Sequence, residues 1–152
     1  MGNFVSKVKA KRTSAQKANP TITTTTDTMG DAKTPIKMTH YAGAQKTFDP
    51  PLIAHDNHFL GDVSTSGDEK MPITAGFYHF KPGTPLEYTY TYEEMKIILE
   101  GEGTLKDGSG QEVHAKAGDV FYFPKGSVIT FSTERPEGVK AFFCGQRARG
   151  AA

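Results

Sequence analysis

From Thr34 onward the chain alternates short apolar runs with glycine and proline. "AGFYHFKPG", Ala75–Gly83, is a β-rich run that ends in a turn. "LEYTYTY", Leu86–Tyr92, alternates apolar and polar positions with period two, the mark of a strand with one face inward. "MKIILEGEGTL", Met95–Leu105, continues as a β-branched run, with glycines where a bend or bulge is expected. "KDGSGQE" reads as a hairpin turn. "EVHAKAGDVFYFPKGSVITFS" reads as short strands broken at "KAGD" and "PKGS", and "GVKAFFCG" closes the series. No segment keeps a 3.6-residue period between caps. "YEEMKIILEGEG" comes nearest to a helix start, and its β-branched residues and glycines argue against one.

Evenly spaced short strands joined by Gly/Pro turns predict an all-β closed barrel or jelly roll. The expected organisation is a flexible basic tail over 1–33, an N-terminal arm over 34–70, the barrel over 71–147 and a short tail over 148–152. The arm, with "FDPPLIAHDNHFLGD", is less regular. It is expected to add one or two strands against the barrel or a partner subunit.

Composition narrows the classes. A chain of 152 residues, 36% hydrophobic, has material for one core. It holds no apolar run of about 18 residues and no charged n-region followed by an apolar h-region. The expected location is therefore cytoplasmic. A single cysteine, Cys144, excludes an internal disulfide framework and a multi-cysteine zinc site; it is read as a buried, inert thiol. The net charge of +1 hides an asymmetry. Residues 1–26 hold five basic residues and no acid, which leaves 13 basic and 17 acidic residues in the rest. That mildly acidic body gives no electrostatic case for nucleic-acid binding.

The tail begins Met-Gly-Asn-Phe-Val-Ser. Gly2 and Ser6 stand where N-myristoylation requires them, and the basic residues that follow supply the second signal that stable peripheral membrane contact needs. Other readings are a solvated tail, a mitochondrial presequence, or translation from Met29.

"EEMKIILEGEG" followed by "KAGDVFYFPKGSVITF" resembles the two signature motifs of the cupin superfamily. Glu94 lies seven residues before Gly101, and Gly118, Pro124 and Gly126 carry the spacing of the second motif. Within the superfamily the texture is most similar to small ethanolamine-utilisation type cupins. The resemblance covers roughly residues 72–145 and implies a jelly-roll barrel. It also implies dimerisation through N-terminal strands, for which residues 40–60 are the candidates; the expected partners are a small molecule and a second copy. In such barrels two first-motif histidines, a glutamate and a second-motif histidine hold a divalent metal. Here those positions fall on Tyr88, Tyr90, Glu94 and Ile129, or on Glu87 and Thr89 for the first two with a longer spacer. Phenols are poor ligands at neutral pH, and isoleucine is none. No metal is expected at the usual place and no cofactor is implied. The counter-reading recruits His79 or His114 from strands. His40, His55 and His58, in the irregular arm, are expected to be solvated.

Alternation sets Tyr88 and Tyr90 on one face, and the motif's geometry makes that face the interior. Glu94 points inward too, and Lys96 shares its side. These four are the candidate catalytic residues, with Tyr78, Ile98, Phe121, Ile129 and Phe131 as candidate pocket. A glutamate in an apolar cavity can remove a proton beside a carbonyl. Tyrosine hydroxyls can donate to the oxyanion formed, and a pocket lysine could alternatively form a Schiff base. The expectation is metal-independent isomerase or lyase chemistry on a small carbonyl or carboxylate compound. The alternatives are a non-catalytic small-molecule-binding or assembly protein, and a metal-dependent one with recruited histidines.

Overall fold

The computed structural model describes residues 35–152, and residues 40–152 form one compact unit. Gly2 and the basic tail lie outside the described residues. One short helix, α1 (Ala44–Thr47), precedes ten strands: β1 (Leu52–Ala54), β2 (His58–Thr65), β3 (Thr74–Phe80), β4 (Leu86–Thr89), β5 (Glu94–Glu100), β6 (Glu102–Asp107), β7 (Glu112–Lys116), β8 (Val120–Phe123), β9 (Val128–Ser132) and β10 (Val139–Gly145). They build two antiparallel sheets, β1-β2-β3-β10-β5-β8 and β4-β9-β6-β7. The all-β jelly roll expected from the strand pattern is what the chain forms. No helix among the described residues is long and apolar enough to cross a membrane.

The "YEEMKIILEGEG" stretch is strand β5 running into β6. Gly101, between them, has φ 79°, a left-handed conformation open to glycine at little cost. A side chain there would also strike the Gly138 carbonyl, so the bend expected at this glycine is required on both counts.

The core lies between the sheets. It is aromatic: Phe80 and Phe143 are among its largest fully buried side chains, joined by Tyr78, Tyr90, Phe123 and Phe131. Each such ring contributes about 1.5–3 kcal/mol of burial. Tilted and edge-on contacts link them, Tyr78 to Phe131 at 5.3 Å and Phe123 to Phe131 at 5.9 Å, geometries that ring quadrupoles favour.

β2 carries Leu60↔Tyr78 and His58↔Phe80 pairings with β3, so this part of the arm is a sheet strand. The structure corrects the reading of His58 as a solvated loop residue. Its side chain is completely buried, because the "HDNH" turn ends one residue earlier and His58 opens β2. His55, left in that turn, is exposed, as is His40. Cys144 also departs from expectation. β10 alternates, Phe143 faces the core, and Cys144 therefore stands on the outer face, exposed.

Candidate functional site

Leu86, Tyr88, Tyr90, Tyr92, Glu94 and Lys96 all line one cavity of about 550 Å³. The period-two pattern of inward residues persists through them, although β4 ends at Thr89 and β5 begins at Glu94 in the other sheet. Tyr90 and Tyr92 thus sit on the crossover, beyond the strand expected to run to Tyr92. The crossover is held by Tyr90 itself, whose amide donates to the Ser127 carbonyl and whose carbonyl accepts from the Gly126 amide.

Glu94 and Lys96 are nearly inaccessible, and Lys96 Nζ stands 2.8 Å from Glu94 Oε1. The Tyr90 hydroxyl donates to the same oxygen at 3.0 Å. Glu94 Oε2 is buried and has no hydrogen-bond partner. Gly145, opposite Glu94 across β10, leaves it room, since a Cβ there would stand 3.2 Å from Oε2 and 3.0 Å from the Tyr92 ring. The Lys96 ammonium otherwise meets aromatic faces: Tyr78 at 4.9 Å, Phe143 at 5.0 Å and Phe131 at 5.9 Å from the ring centres. Burial pushes the Lys96 pKa down, and the Glu94 carboxylate pulls the other way without cancelling the shift.

The hydroxyls of Tyr88 and Tyr92 lie 3.3 Å apart. One proton serves that hydrogen bond and the other is left free to donate to a ligand. Burial, reinforced by the Glu94 charge, raises the pKa of Tyr78, Tyr90 and Tyr92, so all three are neutral donors.

A second buried pair lies beside the cavity, with Asp62 on its wall. Arg147 grips Asp62 with both terminal nitrogens, Nη2 to Oδ1 at 2.6 Å and Nη1 to Oδ2 at 3.0 Å, and the Gly150 amide donates to Oδ2 at 2.7 Å. Burial alone would raise the Asp62 pKa; the Arg147 hydrogen bonds, the Gly150 amide and the arginine charges outweigh it and hold it below the usual carboxylate value. Arg147 also stacks over Tyr92 and Phe143, 5.4 and 5.2 Å from their centres. Behind the cavity, His58 Nε2 donates to the Thr84 carbonyl at 2.9 Å, so Nδ1 accepts the Tyr78 hydroxyl at 2.7 Å. Burial lowers the His58 pKa and keeps it neutral.

The structure brings Tyr88, Tyr90, Glu94 and Lys96 together at the cavity with Tyr78 and Phe131. Ile98, Ile129 and Phe121 are not on its wall: Ile98 and Ile129 are buried in the core and Phe121 packs against it. Tyr92, Asp62, Arg147 and His58 were missed as site residues. Continuing the alternation past Tyr90 reaches Tyr92. The others have no local signal, since Asp62 and Arg147 are 85 residues apart.

The donor set at the usual metal position is two phenols, an isoleucine and one carboxylate, and that carboxylate already holds an ammonium. A divalent ion beside Lys96 would meet like charge, and this set does not fit one. Among the described residues no three His, Cys, Asp or Glu side chains converge on a common point. His79 is half-buried and His114 exposed.

A jelly roll whose first motif enters the barrel through Glu94, and whose second turns at Gly118 and Gly126, defines a cupin. More narrowly, the family model for ethanolamine utilisation protein EutQ matches residues 1–144, and the chain belongs to that family. Curated relatives include "Acetate kinase EutQ" of Escherichia coli, 40% identical over 74 residues covering 49% of this chain and 30% of the relative. The Salmonella typhimurium protein of the same name is 46% identical over 74 residues, covering 49% and 31%. The chain thus spans about a third of the length of these relatives. The solved structure of a putative ethanolamine utilization protein from Salmonella typhimurium LT2 superposes with TM-score 0.51 at 34% identity, covering 60% of this chain and 71% of that one. A protein of unknown function from Rhizobium leguminosarum shares the fold, with TM-score 0.56 at 23% identity, covering 76% and 100%.

Proposed function

We propose that this chain acts on a small carbonyl or carboxylate compound inside the barrel, by metal-independent acid–base chemistry of isomerase or lyase type. One observation carries the reading: Glu94 lines the cavity with Oε1 engaged by Lys96 and Tyr90 and Oε2 without a partner. An unsatisfied buried carboxylate oxygen is costly to keep, and a ligand proton would satisfy it.

In the proposed step Glu94 Oε2 takes a proton from the carbon beside the carbonyl. The electron pair moves onto the carbonyl oxygen, which accepts the spare proton of the Tyr88–Tyr92 hydroxyl pair as a hydrogen bond. The adjacent Lys96 ammonium stabilises the negative charge. Return of the proton to another carbon completes an isomerisation, and departure of a β-substituent completes an elimination.

The test is hydron exchange. Wild-type protein is incubated in deuterium oxide with a panel of small 2-oxo and 3-hydroxy acids, and loss of the α-proton signal is followed by NMR. Enzyme-dependent exchange that disappears in Glu94→Gln and persists after chelation supports the reading. Exchange with none of the panel, or full exchange in Glu94→Gln, sinks it.

A second reading comes from the relatives named acetate kinase. A carboxylate beside Lys96 suits it, whereas the sequence has no G-x-x-x-x-G-K-[ST] phosphate loop. ATP-dependent formation of an acyl phosphate from acetate by this chain would favour that reading over the first.

A further inference from the structure

Asp62, Glu94, Lys96 and Arg149 line the cavity. Glu94 and Lys96 cancel one another at 2.8 Å. Asp62 is met by Arg147 through two hydrogen bonds and has Arg149 nearby as well. Two arginines therefore face one carboxylate. His58, Tyr78, Tyr90 and Tyr92 are neutral at physiological pH, for the reasons of burial given above. Among the side chains on the cavity wall, Arg149 carries the positive charge that no side-chain carboxylate meets through a hydrogen bond.

The Arg149 side chain is exposed but not loose. Nη1 donates to the Asp62 carbonyl at 2.9 Å and Nη2 to the Val63 carbonyl at 3.3 Å. These are neutral acceptors, so they orient the guanidinium without neutralising it. Two of its five N–H groups are used in this way, and the rest remain for a partner. A fork of this kind matches a carboxylate.

The remaining walls are apolar, with Phe48, Pro51, Ile53, Leu60, Leu86 and Phe131 among them. A volume of about 550 Å³ falls in the range of sites for molecules much larger than a two-carbon acid.

From these three features we infer that the ligand is a monoanionic carboxylic acid with an apolar body, and that Arg149 is the residue that selects it by taking its carboxylate. The inference rests on the barrel cavity being the ligand site. It adds a specificity residue on β2's flank, far in sequence from the Tyr88–Lys96 stretch. The carboxylate docks at Arg149, the body lies along the apolar wall, and the reacting carbon is left for Glu94.

Binding of hexanoate and phenylacetate is compared with that of the neutral hexanamide and phenylacetamide, by titration calorimetry on the full chain. The acids are expected to bind roughly tenfold more tightly than their amides, with the gap narrowing as salt is raised. Arg149→Met is expected to close the gap while amide binding persists, which also shows that the cavity is intact. Arg149→Lys is expected to retain a part of the gap. Equal binding of acid and amide, a gap that survives in Arg149→Met, or no acid binding at millimolar concentration overturns the inference. Acid preference through Arg149 without any α-proton exchange would leave this inference standing and remove the acid–base reading. Exchange that is equally fast in Arg149→Met would do the reverse.

Discussion

Two ion pairs are buried in this barrel, and they are built in opposite ways. Asp62 and Arg147 come from opposite ends of the described chain; two hydrogen bonds from the guanidinium and one from the Gly150 amide engage both carboxylate oxygens, and the unpartnered atom of this pair is Arg147 Nε on the cation. Glu94 and Lys96 are two residues apart on one strand, share a single contact, and leave a carboxylate oxygen without a partner. Burying charge is expensive unless the hydrogen bonds are complete. The pair whose carboxylate is fully engaged is therefore read as structure, a clasp that ties the segment after β10 to β2. The pair with the unpartnered carboxylate oxygen lines a cavity and is read as chemistry awaiting a ligand.

The contrast can be broken most sharply at Glu94. If the Glu94–Lys96 pair is functional, Glu94→Gln should lower exchange by about 10²–10⁴-fold, measured as the initial rate of α-proton loss, with circular dichroism confirming the fold. The Asp62–Arg147 clasp should instead show itself in stability. Arg147→Met strands a buried carboxylate and should cost about 3 kcal/mol in urea unfolding. Lys96→Met alone should also destabilise, whereas Glu94→Leu combined with Lys96→Met should recover most of that loss, since an apolar replacement removes both desolvation penalties. A double variant no more stable than Lys96→Met would show that the pair holds the barrel together. Tyr92→Phe removes one member of the hydroxyl pair and should cost about tenfold in exchange, roughly one hydrogen bond's worth, with little change in the melting temperature.

The smallest expected effect concerns pH. Although burial alone would raise it, the Arg147 hydrogen bonds, the Gly150 amide and the arginine charges hold the folded Asp62 pKa below the ordinary carboxylate value. Its contribution to stability is fully present above that value and is lost as pH falls through the folded pKa. Urea midpoints between pH 5 and pH 2 should therefore drop more steeply for wild type than for Asp62→Asn.

Much of the barrel was legible along the chain because strands write their burial locally. The alternation Leu86, Tyr88, Tyr90 names the inward face, and Glu94 and Lys96 continue it in phase. The glycine at 101 announced its bend because only a residue without a Cβ tolerates that backbone. His58 and Cys144 show where local reading stops. Each lies one residue from a boundary or a face change, and period two turns a one-residue error into the opposite side of the sheet. The local pattern places His58 in a loop, and it is buried; it places Cys144 inside, and it is exposed.

What the sequence determined by itself was the strand series, the barrel class, and the replacement of imidazoles by phenols beside a kept glutamate. These depend on periodicity and on residue identity at fixed spacing. What the tertiary structure decided was which charges meet. The Asp62–Arg147 clasp, the Arg149 fork and the His58–Tyr78 bond join residues 20 to 87 positions apart. Such pairings follow from how the sheets close on one another, since a side chain's partner across a barrel is set by strand order and register and not by its neighbours along the chain.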